Sequence, residues 1–415
     1  ILLMAAFMRF YGIHWDEGFP YTPHPDERAI LMKTQDMHFP KLDQVGTLFN
    51  SDKSPLNPKW FPYGTFPIYV LKITESLAST ITEQVIDLRT YGRLLSSLAD
   101  LGTITGISLL GLQAFGRRAA VLAALLTAFA VLHIQLSHFF AFDTFAAFFA
   151  TWATLFAYKY AQEGKTSQSV YAAIFVGLGM ACKISLLPII GMLLAAHIYY
   201  IIRNPSLTQN LRDKLIITGS YCCLSLFTCL VVFMIAQPYA ILDWAKFISD
   251  ITEQSEMVRR IRDYPYTRQY IDTTPYIYQF IQLGKWGLGW PLTIISVAGL
   301  FWLITRKMSF LGGTIMITLA FILPAAILLF NNSSSSIALA CLFSIGILIM
   351  GFAFYARSDR PTYLIACWVI PYLIITCSFE VKFFRYMLPV LPMLILLGSG
   401  MLILQIEKTM GLAQK

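Results

Sequence analysis

Long apolar runs dominate the chain, broken by short polar stretches and by two long ones. A helix needs about 20 mostly apolar residues to cross the hydrocarbon core of a bilayer. Such runs cover roughly 90–112, 119–136, 142–160, 169–182, 185–202, 215–236, 286–305, 310–330, 336–355, 362–378 and 386–406. The chain also opens in an apolar segment, Ile1–Tyr11, which is short and lacks a basic flank, so the native N-terminus is expected upstream. It has neither the charged start nor the small-residue cleavage site of a signal peptide. With that first helix the pattern predicts an all-α integral membrane protein of about twelve spans, one membrane-embedded domain over residues 1–415. Segment 64–82, interrupted by Pro67, Lys72 and Glu75, reads as an interfacial or re-entrant helix.

The two long polar segments are 12–63 and 237–285. The first is punctuated by Ser54-Pro55-Leu56-Asn57-Pro58, which suits an ordered loop. The second holds a helical pattern from Ile241 to Ile261 and then a tyrosine-rich stretch from Tyr264 to Tyr278. No internal repeat is evident, which argues against a transporter built from inverted halves.

Composition agrees with the pattern. Hydrophobic residues make up 57% of the 415 and charged residues only 13%, against roughly 25% charge in soluble domains. The mean hydropathy is +0.62. All seven cysteines fall in apolar runs with no CxxC spacing, and read as small packing residues.

The net charge of +8 reads as topology rather than nucleic-acid binding. With the start of the first helix in the cytoplasm, the inside loops are 113–118, 160–169, 203–214, 306–309, 356–361 and the tail from Glu407. They carry Arg117, Arg118, Lys165, Arg203, Arg212, Lys214, Arg306, Lys307, Arg357, Arg360, Lys408 and Lys415. Every inside loop is basic, as the positive-inside rule requires. The long segments then lie outside, and they hold 13 of the 23 acidic residues.

Seven ionisable residues stay at membrane depth or at its outer edge: Arg93, Asp100, Asp143, Lys183, Glu380, Lys382 and Arg385. Such groups are costly in hydrocarbon and face a cavity or one another. Asp100 lies seven positions after Arg93, on the same helical face, so the two are expected to pack as a polar pair. Acids converge on the outer face as Asp16-Glu17, Asp26-Glu27 and Asp143, close in sequence to His133 and His138. A carboxylate can serve as general base toward a hydroxyl while Lys and Arg hold a phosphate. His133, His138 and Asp143 are spaced five apart, which does not put them on one helical face, so no metal ligand set is assigned. A divalent cation stays open as a cofactor.

At this point the chain resembles the GT-C superfamily of integral-membrane glycosyltransferases, and more narrowly glycosyltransferase family 39, the group of the dolichyl-phosphate-mannose–protein mannosyltransferases. The resemblance rests on His24-Pro25-Asp26-Glu27-Arg28, Ser54-Pro55-Leu56-Asn57-Pro58, Tyr63-Gly64-Thr65 and Gly92-Arg93-Leu94. It continues through Gln135-Leu136-Ser137-His138-Phe139-Phe140, Asp143, Ala181-Cys182-Lys183 and Phe384-Arg385-Tyr386 with Pro389. It implies transfer of one sugar from a polyprenyl-phosphate carrier to an acceptor hydroxyl outside the cytoplasmic face. Asp26 matches the essential acid, Glu27 is its neighbour in the motif, and Asp143 matches a second acidic position.

Lys183 and Arg385, with Arg93, are expected to hold the donor phosphate, and His24, His138, Tyr63 and Lys382 to contact substrate. The acceptor is open among lipid, glycan and protein; the lumenal domain inserted in the dedicated protein mannosyltransferases is not seen. An outward-facing site suits a bacterial or archaeal plasma membrane. The competing expectation is a transporter or flippase using Arg93, Asp100 and Lys183 as its path.

Overall fold

A computed structural model describes residues 1–81, 87–204, 210–306, 308–331, 333–355 and 361–411. Lys307, Arg357, Arg360 and Lys415 of the inside-loop assignment lie outside the described residues. Every regular element among the described residues is helical, and a helix stands at each apolar run. Six are long and apolar enough to cross a membrane, or seven if the pair Arg117–Ala128 and Val131–Ser137, bent by 54°, is one span. The expected dozen crossings exceeds that number, because several runs form shorter or interrupted helices. Thr166–Cys182, Trp290–Thr305 and the apolar stretch Ser335–Ile349 are too short to be counted, while the 310–330 run spans despite a π-helical turn at Thr318–Ile322.

Burial separates inner from outer helices. The apolar window of Pro361–Ser378 is 94% buried, whereas that of Arg212–Ala236 is 11% buried and faces outward along its length. Around the buried segment pack Ser334–Tyr355 and Ile189–Arg203, with Phe142–Glu163 against its first turns. Trp290–Thr305 lies close enough on Leu391–Thr409 that a Cβ at Gly299 would meet the backbone of Leu397 and Gly398. In a bilayer such close backbone approach replaces the hydrophobic drive that water would supply.

The polar segments are more ordered than loops. The acidic motif opens a helix, Pro25–Asp36: His24 is its N-cap, Pro25 its first residue, and Asp26 and Glu27 lie in its first turn. The Pro and the two acids favour a helix start, and the His24 ring supplies the cap acceptor. Segment 64–82 forms the helix Phe66–Ile81, and the second polar segment forms Tyr239–Leu242 and Trp244–Val258. The two segments are tied together. The Asn57 amide donates to Asp243 Oδ2 at 2.8 Å, the Phe61 N–H donates to Asp250 Oδ2 at 2.8 Å, and Ser54 bonds Tyr239.

Candidate active site

Four helix ends and one loop converge on a charged cluster. Asp26 arrives at the N-terminus of Pro25–Asp36, and Asp143 in the first turn of Phe142–Glu163. Lys183 stands in the turn after Thr166–Cys182, and Arg385 in the 3-10 turn Phe384–Val390. Tyr63 comes from the first polar segment. Its neighbour Gly64 donates its N–H to Cys182 O at 3.0 Å, and a Cβ there would overlap the Ala181 carbonyl. This close approach requires glycine, and it fixes Tyr63 beside Lys183.

Within the cluster, Arg385 Nη1 pairs with Asp26 Oδ2, and Nη2 donates to Tyr63 Oη at 2.9 Å. Tyr63 Oη donates to Asp26 Oδ1 at 3.3 Å. Lys183 Nζ donates to Asp143 Oδ1 at 2.6 Å and sits 4.4 Å from the Tyr386 ring centroid. Arg385 Nε lies 3.8 Å from Asp143 Oδ2, joining the two pairs. Two cations thus balance two carboxylates. Burial pushes the Tyr63 phenol well up, so it stays a donor. The Asp26 side chain keeps 26% of its exposure and Arg385 15%, so the cluster remains accessible.

An apolar cavity of about 240 Å³ adjoins it. Tyr63 and Lys183 line both spaces, and Phe233, Phe247, Ile337 and Phe379 form apolar wall. Arg259, Gln254 and Tyr386 also line this cavity. Tyr386 belongs to the Phe384-Arg385-Tyr386 motif, whereas no sequence motif marked Arg259 or Gln254.

Other expected site residues go elsewhere. Arg93 stands outside the cluster: it is 1% exposed and commits all its donors. Nε and Nη2 bond the two oxygens of Glu27 at 2.8 Å, Nη1 and Nη2 bond Asp16 at 2.7 and 2.8 Å, and Nη1 also reaches Ile13 O. That hydrogen bonding holds Asp16 below the usual carboxylate range. Glu27, fully buried, also accepts the Phe140 N–H at 2.8 Å. It points away from Asp26, on another face of their helix, and pins the helix to the Ser137–Phe140 turn.

The expected Arg93–Asp100 pair does not form. Asp100 instead accepts from Arg9 Nε at 3.0 Å and meets His133 Nδ1 at 2.5 Å, and Arg9 Nη1 donates to Ala128 O at the bend of the broken helix. Asp100 lies two helical turns, about 10.5 Å, along the helix from Arg93, whereas the turn after residue 11 sets Asp16 against the Arg93 guanidinium. His138 directs its ring nitrogens to Ile134 O and Tyr11 O, and Lys382 Nζ donates to Glu380 O. Neither touches the cluster. His133, His138 and Asp143 diverge, and among the described residues no three His, Cys, Asp or Glu side chains gather to hold a metal.

His24 lies at the edge of the cluster, its Nδ1 accepting the Glu27 N–H at 3.2 Å and its ring stacked on Phe139 at 4.3 Å. Burial lowers its pKa from the usual 6.5, against the pull of Asp26. A base whose folded pKa is lowered binds fewer protons folded than unfolded, so it costs stability as pH falls through 6.5 toward the folded value. Protonation would also turn the cap acceptor into a donor facing an N–H. Thermal unfolding in detergent is therefore expected to shift downward on acidification below about pH 6.5. His24→Asn, which keeps a cap acceptor but does not titrate, should shift measurably less.

Residues 76–233 match the family model described as dolichyl-phosphate-mannose-protein mannosyltransferase. That match spans 158 of the 415 residues, less than half of the chain. Among solved structures it is similar to the archaeal oligosaccharyltransferase AglB from Archaeoglobus fulgidus, solved with an inhibitory peptide and a dolichol-phosphate. That match has 16% identity and a TM-score of 0.53, covering 99% of this chain and 50% of that one. It is also similar to ArnT from Cupriavidus metallidurans bound to undecaprenyl phosphate, at 16% identity and a TM-score of 0.49, covering 96% of this chain and 58% of the other. The chain thus spans about half the length of these structures. No curated protein matches it. The GT-C fold expected from the sequence is the one it shares with AglB.

Proposed function

We propose that the protein is a glycosyltransferase that moves one sugar from a polyprenyl-phosphate donor to an acceptor hydroxyl at the outer face of the membrane. One observation carries this reading: an accessible cluster of two acids and two cations shares Tyr63 and Lys183 with an apolar cavity. A donor that is charged at one end and hydrocarbon at the other needs that adjacency. On the scale of a ~150 Å³ cavity that holds benzene, the cavity admits about ten carbons, or two isoprene units, next to the phosphate.

The chemistry is an in-line displacement. Asp26 takes the proton as the acceptor oxygen attacks the anomeric carbon, and the bond to the lipid phosphate breaks on the opposite side with inversion. Negative charge grows on the departing phosphate, and Lys183 and Arg385 stabilise it in a site of low dielectric. A phosphate competing for Arg385 also frees the Asp26 carboxylate from its pair, so donor binding readies the base. Asp143 holds Lys183, Tyr63 orients Asp26, and Arg259 supplies a further cation to the cavity. The transporter alternative loses its path, because Arg93 and Asp100 are spent in separate buried networks.

The test supplies the purified protein with labelled polyprenyl-phosphate sugars and identifies the labelled product. Lys183→Ala and Arg385→Ala are each expected to lower kcat about 10²–10³-fold, the cost of one lost oxyanion donor, and to raise the donor KM. Movement of intact carrier across a vesicle membrane without cleavage would sink the transferase reading; unchanged kinetics in both variants would sink the phosphate assignment.

A further inference from the structure

A second apolar groove, larger than the donor cavity, lies on the other side of one helix end. At the outer end of Leu211–Ala236, Phe233 and Gln237 line the donor cavity, whereas Val232, Ile235 and Ala236 line this groove. Its volume is about 510 Å³, and further wall comes from Phe39 and Phe49 of the first polar segment and from Phe66, Tyr69 and Ile73 of the helix Phe66–Ile81. From the geometry we infer that the acceptor is lipid-borne and that this groove holds its hydrocarbon. The inference rests on the transferase reading and names the acceptor class for it.

Three observations favour a lipid over a peptide. First, the groove opens along the least buried of the six spans, where Ile235 is 75% exposed, and Phe49, which also lines the groove, is 81% exposed. Second, its few polar atoms are already used. Tyr69 Oη donates to Leu56 O, Tyr239 Oη donates to Leu48 O and bonds Ser54, and Lys72 pairs with Glu75 at 2.7 Å. A peptide backbone laid there would lose its bonds to water without replacement, whereas hydrocarbon loses nothing. Third, the groove adjoins the reacting centre. Phe66 follows Tyr63 by three residues, at most about 11 Å of chain, and Tyr63 bonds Asp26. On the benzene scale, ~25 Å³ per carbon, the groove takes about twenty carbons, as two acyl-chain segments or one long prenyl segment would supply.

The experiment combines labelled undecaprenyl-phosphate sugars with vesicles of total membrane lipid extract, a soluble peptide and a soluble glycan. Labelled sugar is expected in the organic-extractable lipid. Ile73→Trp and Ile235→Trp, both exposed groove positions, should raise the KM for that lipid tenfold or more and leave the donor KM unchanged. Leu230→Trp, exposed on the same helix below the groove, should change neither. Label on the peptide or glycan, or groove variants that behave like Leu230→Trp, would overturn the inference while the transferase reading stands. If the wild type consumes no donor at all, that reading fails instead. A diazirine-bearing diacyl phospholipid gives a readout independent of turnover. It should label segments 39–49 and 232–242, resist competition by undecaprenyl phosphate, and lose that label in the two groove variants. Uniform labelling of the outward helices, or displacement by undecaprenyl phosphate, would overturn the groove as a separate lipid site.

Discussion

Asp26→Asn is expected to reduce sugar transfer by about 10²–10⁴-fold, the range for a lost general base, while leaving the protein folded. Asparagine keeps the size of the side chain and an Oδ1 that still accepts from Tyr63. It removes the negative charge that pairs with Arg385 and the lone pair that takes the acceptor proton. Because the side chain is partly exposed, the lost ion pair costs little stability. Initial rates with a labelled donor, beside thermal unfolding in the same detergent, separate the two effects. A variant that turns over like the wild type would remove Asp26 from the mechanism. Donor binding should persist or tighten, since Arg385 is released toward the phosphate.

Arg93→Ala should act in the opposite way, on the fold first. It leaves Glu27 and Asp16 buried without their shared cation and strands Ile13 O. Breaking a buried ion pair by removing one partner costs about 3–5 kcal/mol, so unfolding should shift sharply downward. Arg93→Lys should rescue little, because an ammonium cannot present parallel N–H pairs to two carboxylates. Activity should fall as well, since Glu27 fixes the helix that carries Asp26. If Arg93→Ala kept wild-type stability while losing donor affinity, Arg93 would return to the phosphate site.

The opposite expectations for Asp26 and Arg93 show what a linear reading of charges can and cannot reach. Asp143, Lys183 and Arg385 stood out because each is an ionisable group beside a helix end in an apolar chain, where only a cavity or a partner tolerates it. Arg93 meets the same criterion, and nothing local separates a charge that is spent from one that is available. The difference is a count of partners. Arg93 has both carboxylates around its guanidinium, while Arg385 shares one face with a space that also borders Asp26 and Lys183.

Arg259 and the second groove were illegible for a related reason. Arg259 carries no motif, and the groove joins residues near 39–49, 66–73 and 232–242 that no periodicity links.

By itself, the sequence determined that this chain is a membrane bundle, where its helices lie, which short loops are basic, and that its acids gather in two polar segments. Hydrocarbon enforces these features residue by residue, through the cost of every exposed polar group. Only the tertiary structure decided which charges pair, which face of the acidic helix looks into the site, and that apolar space lies on both sides of one helix end. Those outcomes depend on distances between segments up to some 359 positions apart, such as Asp26 and Arg385. The energy of a buried charge is settled by what stands within a few ångströms of it, wherever in the chain that neighbour originates.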